Sequence, residues 1–381
     1  MKIRRLFIDR AVQHEAAVEA VRARLPEVPC EVVDDAVAVY HCLNDVPDPV
    51  GAGKEMLLLT RNKGAFVRNC PGTREYTCCG YQILHMGTYC TMDCAYCILQ
   101  SYFHPPLMQY FVNHADLFSD LDRTFSRDTI SRIGTGEFTD SLIWTSWTDL
   151  VAQLVNTFAG QRRAVLELKS KAVSIAPLKS IDHRRKTIMA WSLNTEKIIR
   201  NEERHTAGLA ARLRAAKTCE ALGYPLAFHF DPMILYPGCE TDYRRVVERL
   251  FAAVSADSIV WISMGTFRFM PDLKPIVAQR FPSSSIVFGE FIPGLDGKMR
   301  YFKPLRIQLL KKMASWIREL APHVFVYLCM EDDAVWREAL GYIPAERGGL
   351  PYLLDQCAMR HCGVEVGSRR SEVRGGNNFE F

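Results

Sequence analysis

The sequence predicts an α/β protein built on a parallel sheet, and three observations carry that prediction. From about residue 80, apolar β-rich runs alternate with helical ones. Strands separated by helices pair in parallel, because a parallel neighbour is reached only by a crossover long enough to hold a helix. At 381 residues with 48% hydrophobic content, the chain is long and apolar enough to bury such a core. The pattern leaves two architectures open, a partial barrel and an open doubly wound sheet. In both, the C-terminal ends of the strands form the functional rim.

Taken in order, the first residues read as a strand, RRLFI, an amphipathic helix around QHEAAVEAVRARL and a second strand, CEVV, ending in the Gly/Pro-punctuated stretch NDVPDPVGAGK. Residues 1–75 are assigned to an N-terminal α/β extension. Residues 76–270 hold the strand candidates GYQILHM, SRIGTGEF, AVLELKSK, TIMAWSL, PLAFHFDPMIL and SIVWISM, with helices such as TDLVAQLVNTFAG and TAGLAARLRAAKTCEALG between them. The last of these has Thr206 as its expected N-cap, Leu209, Leu213 and Ala216 at helical spacing, and Gly223 as its stop. Residues 271–381 read as a C-terminal cap, two helical stretches around the apolar run HVFVYLCM, followed by a polar ending, GSRRSEVRGGNNFEF, expected to be mobile.

Bulk properties exclude some functions. No apolar run approaches the ~20 residues of a membrane span, and the N-terminus lacks the apolar core of a secretion signal, so no membrane partner and a cytoplasmic location are expected. Net charge is 47 minus 43, or +4, which permits an anionic partner without demanding one. Thirteen cysteines, an odd number, point to thiols and metal ligands over a disulfide framework.

Three of them stand close together. Cys90, Cys94 and Cys97 have the spacing C-x3-C-x2-C, just after the first barrel-type strand, so one short loop offers three thiolates to one inorganic centre. Structural zinc sites want four protein ligands. Cys78 and Cys79 lie upstream of the strand and are expected at the opposite end of the barrel. A four-iron, four-sulfur cluster held by three thiolates leaves one iron free to bind a small molecule.

The spacing, with Tyr96 immediately before the last cysteine, resembles the signature of radical S-adenosylmethionine enzymes. Within that superfamily the segments CAYCILQ and SLNTEKIIRNEERHTAGLAARLRAAKTCEALGYPLAFHFDPMI resemble the spore photoproduct lyase family. The resemblance implies a partial (β/α)6 TIM-like barrel, a 4Fe-4S cluster on Cys90, Cys94 and Cys97, and S-adenosylmethionine cleaved to a 5′-deoxyadenosyl radical. It also implies a reducing electron donor such as flavodoxin or ferredoxin, and a damaged thymine dimer in DNA as substrate. Carried over residue by residue, Tyr96 lies against the adenine of the cofactor, while Thr139, Lys171 and Ser192 contact it. GTGE, with Gly134, Gly136 and Glu137, resembles the segment that receives the cofactor's ammonium, backbone approaching closely at glycine and carboxylate pairing with the cation.

The resemblance fails at two points, one of them Ile98, which follows the third cysteine where characterised members of the family have an aromatic. Where the family has a cysteine that returns a hydrogen atom to the product radical, in CTSD, this chain has EFTD, with Glu137 in the cysteine's place. Cys239 in LYPGC is the substitute donor considered. A different base or metabolite is the alternative substrate, and a zinc or iron-sulfur nucleic-acid-binding module without catalysis is the alternative class. Cations in DHRRK and at Arg162 and Arg163 are phosphate-contact candidates, and Trp144 and Trp147 base-stacking candidates, with solvated loop surface and core packing as their plainer readings. Cys357 and Cys362 form a candidate second metal site, and Cys30, Cys42, Cys70, Cys219 and Cys329 are read as packing residues.

Overall fold

In the computed structural model, which describes residues 2–73 and 75–366, the chain forms two main sheets joined through a common core. The polar ending, residues 367–381, lies outside the described residues. The larger sheet has seven parallel strands: β1 (Gln82–Leu84), β2 (Ser131–Gly134), β3 (Ala164–Ser170), β4 (Thr187–Ser192), β5 (Leu226–Met233), β6 (Ile259–Thr266) and β7 (Val326–Leu328). Each strand lies beside its predecessor, with Ala164 opposite Ser131, Leu166 opposite Thr187 and Ile262 opposite Val326. A doubly wound sheet would reverse its order part-way. This one does not, and it curls into a half barrel. Val67–Asn69 pairs antiparallel with β1 at one edge, and β7, from the segment read as cap, forms the other.

The strands are apolar throughout because helices cover them outside and side chains fill them inside. Helix Leu150–Ala159 buries Leu150, Val151, Leu154, Val155 and Phe158, one face of the helix, each stabilising by about 1.5–3 kcal/mol. Helix Leu209–Ala221 ends as expected, with Gly223 at φ +84° just past its last turn, but its N-cap is Gly208 and not Thr206. The Thr206 hydroxyl donates to the Glu203 carbonyl and accepts from Arg212, so it is engaged elsewhere.

The smaller sheet has Arg5–Asp9 between Cys30–Val33 and Met56–Thr60, all parallel, and continues through Met108–Phe111 to Gly87–Thr88. The cysteine-bearing loop therefore runs between two strands of this sheet. The Gly/Pro-punctuated stretch supplies a helix, Pro49–Lys54, with Pro49 in its first turn and Asp48 accepting from the Gly51 amide. Gly53 lets it lie against the loop, since a Cβ there would stand 1.6 Å from the Pro106 carbonyl oxygen.

Candidate functional site

Three sets of contacts fix the cysteine loop. Lys54, buried at the end of its helix, donates to the Met92 carbonyl and to the Cys90 carbonyl at 3.2 Å, and pairs with Asp93 at 3.5 Å. Arg280 grips Asp93 through both terminal nitrogens and donates to Gln100. Gln100 in turn donates to the carbonyls of Cys94, Ala95 and Cys97. A short antiparallel pairing sets Glu203 opposite Cys94.

Cys90, Cys94 and Cys97 line one cavity. Gly136, Glu137, Thr139, Lys171 and Ser192, all expected at the site, line it too, together with Asp140, Lys169 and Ser170, which sequence reasoning missed. The positions fall where the barrel rule puts them, at or beyond the C-terminal ends of β2, β3 and β4. Asp140 ties these ends together, accepting from the Ser170 hydroxyl at 2.7 Å and the Lys171 amide at 2.8 Å. Burial raises its pKa, offset in part by those bonds. Glu137 accepts from Lys169 at 2.7 Å, and that cation, outweighing burial, holds the carboxyl below its ordinary pKa. Gly136 is required for contact, since a Cβ would stand 2.9 Å from the Lys169 carbonyl oxygen.

Tyr96 and Gly134 stand just outside this lining. The buried Tyr96 hydroxyl donates to Glu203, which Arg212 clasps, and the Lys171 ammonium lies 5.7 Å from the Tyr96 ring centroid. Gly134 makes room for the Tyr81 hydroxyl, which a Cβ would meet at 1.5 Å. Cys239 begins helix Cys239–Ala253, is buried, and lines neither this cavity nor its neighbour. Trp144 is core, stacked on Tyr110 with its indole N–H donating to Thr139, and Trp147 packs edge-on against it. Cys30 and Cys42 are exposed, not packed.

The thiols suit a thiophilic centre. Burial pushes the Cys90 thiol up to about 12 and raises Cys94 well above its ordinary value, so metal binding there would expel protons. The Met92 amide donates to the Cys90 sulfur at 3.4 Å, the kind of bond that tunes a cluster sulfur. Among the described residues no three His, Cys, Asp or Glu side chains, the triad included, are posed around one metal position. The fit therefore rests on donor chemistry and the shared cavity. Cys357 and Cys362 do not make a second site: five residues apart on helix Leu350–Cys362, they point about 140° apart and are buried.

A neighbouring cavity occupies the barrel interior and shares Glu137 and Lys169 with the first. Its walls carry Glu167 bonded to His229, His229 to Ser263 at 2.6 Å, and Asp231 paired with Arg268 at 3.0 Å.

The family model described as spore photoproduct lyase matches residues 74–298, more than half of the chain. The chain belongs to the spore photoproduct lyase family. The spore photoproduct lyase of Bacillus subtilis is 24% identical over 209 residues, 54% of this chain and 61% of the relative; that of Clostridium acetobutylicum is 21% identical over 254 residues, 66% and 71%. The alignment thus spans about three fifths of the Bacillus subtilis protein. A solved spore photoproduct lyase complexed with dinucleoside spore photoproduct superposes with a TM-score of 0.74 at 17% identity, covering 86% of this chain and 99% of that one. A cysteine-mutant lyase with bound AdoMet and the same dinucleoside gives 0.74 at 18%, with the same coverage. These likenesses establish the family's barrel fold for this chain. Among the described residues no helix is long and apolar enough to cross a membrane.

Proposed function

We propose that this protein is a radical S-adenosylmethionine enzyme that repairs a spore-photoproduct-type thymine lesion in DNA. The reading is supported above all by the meeting of Cys90, Cys94, Cys97, Gly136, Glu137, Thr139, Lys171 and Ser192, drawn from the cysteine loop and three strand ends, on one cavity. Cys90, Cys94 and Cys97 would hold a 4Fe-4S cluster by three thiolates, and S-adenosylmethionine bound there would supply the hydrogen-abstracting 5′-deoxyadenosyl radical.

The chain's own residues orient and shield. Lys54, Arg280 and Gln100 keep the cysteine loop in one conformation, and Asp140 aligns Ser170 with Lys171 at the strand ends. The interior cavity suits the lesion, since Lys169, Arg268, Asp231 and His229 offer donors and acceptors to pyrimidine carbonyl and imide groups. A lesion in duplex DNA would be extruded to reach it, and damage lowers the cost of extrusion. One observation favours a second reading: Glu137, held by Lys169, carries no thiol, so a different base or a small metabolite is the alternative substrate.

The test is anaerobic reconstitution, reduction and product analysis. Wild-type protein should form 5′-deoxyadenosine and restore thymidine from DNA carrying the lesion. Cys94→Ala should lose both products, and its iron content after reconstitution should fall by that of the triad's cluster. If 5′-deoxyadenosine forms without thymidine, the second reading replaces the first; if no iron is bound, both fall.

A further inference from the structure

The half barrel has an open seam, and four cysteines outside the triad meet there. Cys70 directly follows the edge strand Val67–Asn69, and Cys329 directly follows β7, the opposite edge. The chain beyond Cys70 crosses between these edges. The Cys70 amide donates to the Tyr81 carbonyl at 2.9 Å, while the Thr77 amide donates to the Glu331 carbonyl at 3.2 Å and the Thr77 hydroxyl to Asp333 at 3.3 Å. The crossing carries Cys78 and Cys79 to the same place, so all four thiols line the interior cavity.

Two of the sulfurs already have the N–H donors that metal thiolates attract. The Gly80 amide reaches the Cys78 sulfur at 3.5 Å, and Arg268, fixed by Asp231, reaches the Cys329 sulfur at 3.4 Å. Gly72 leaves the Cys78 sulfur room, since a Cβ there would stand 3.0 Å from it. The hydroxyl of Tyr81, another residue of this lining, packs against Gly134 and is buried without a hydrogen-bond partner. As with the triad, the thiols are not posed around one point, so the inference rests on their convergence on one cavity across the seam.

We propose that Cys70, Cys78, Cys79 and Cys329 form a second metal centre, a four-thiolate site for zinc or for iron in an iron-sulfur cluster, that staples the two edges of the half barrel. Soft thiolates select these metals, and a set of four protein ligands closes a site in the manner of structural centres. Three ligands come from one short segment and the fourth from across the seam, so the metal cross-links residues far apart in sequence, where closure removes most chain entropy. The centre shares the interior cavity with the proposed lesion site, on its seam side, and its metal uptake is read without substrate or cofactor, so its failure and that of the repair reading are distinguishable.

The test uses the full chain with Cys90, Cys94 and Cys97 all changed to Ala, so the triad contributes nothing. Titrated with Co2+, it should bind about one equivalent with the absorption of a tetrahedral thiolate complex, or, given Fe2+ and sulfide, take up both with a brown colour. Either result supports the centre and says which metal form it takes. Adding Cys78→Ser or Cys329→Ser should abolish the uptake, while Cys219→Ser, a buried cysteine away from the seam, should leave it unchanged. Should the triad variant fold poorly, mass mapping of iodoacetamide labelling on the wild type reads the same site: Cys70, Cys78, Cys79 and Cys329 should be protected until a chelator is added. Binding of neither metal by the folded triad variant, uptake that survives Cys329→Ser, or full labelling without chelator overturns the proposal.

Discussion

Glu137 shows how one residue can keep a site's geometry while changing its chemistry. It stands where the family's hydrogen-donating cysteine is expected, touches both cavities, and is bound to Lys169. Its folded pKa lies below the ordinary value because of Lys169, so the stability it contributes is present above about pH 4.3, the unfolded value, and is lost as pH falls through the folded pKa. Glu137→Gln removes that titration. Urea unfolding should find the variant about 1 kcal/mol less stable at pH 7, the pair being partly open to the cavity. Between about pH 5 and pH 3 its stability should fall less steeply than the wild type's. Parallel slopes would mean that Glu137 titrates as an ordinary surface carboxyl. The residue's identity was legible in the sequence; its partner was not, because Lys169 lies on another strand and only the β2–β3 register brings the two together.

At the scale of elements, the strands were the legible part. Six apolar runs became β1 to β6, since each is buried on both faces and its composition records that. The helix Pro49–Lys54 was read only as punctuation, because two glycines and a proline in six residues outweigh any periodicity. Those glycines serve packing: Gly53 admits Pro106, and Lys54 then reaches the loop carbonyls. Gly53→Ala should push the helix off the cysteine loop, costing about 1–3 kcal/mol as an overpacked contact. Lys54→Met should cost about 2 kcal/mol by leaving the Cys90 and Met92 carbonyls unbonded. Both variants should fold and yet hold less iron per chain after anaerobic reconstitution, measured against Arg5→Ala, an exposed change in the same sheet. Wild-type iron content in Lys54→Met would show that the loop needs no such support.

The whole molecule decides which cations can meet DNA. Arg162 and Arg163 precede β3, and His183 to Lys186 precede β4, so both clusters lie at the N-terminal ends of strands whose C-terminal ends carry the candidate site. A seven-residue strand separates the two ends by about 20 Å. Their charges are also engaged: Arg184 with Asp182 at 3.4 Å, Arg185 with the His361 carbonyl at 2.8 Å, Arg163 with Asp128 at 3.8 Å, and Lys186 with the Cys362 carbonyl at 2.6 Å. A run of cations in a sequence carries no information about which rim it will occupy; the strand direction supplies it. Each phosphate contact contributes about 0.9 to the slope of log affinity against log salt. Changing Arg162, Arg163, Arg184 and Arg185 together to alanine should therefore leave the salt slope for lesion-bearing DNA unchanged, measured by fluorescence anisotropy across a salt series. A slope shallower by about 2 or more would put the duplex across the N-terminal rim, and a lesion lying there could not reach the cavity of Cys90, Cys94 and Cys97.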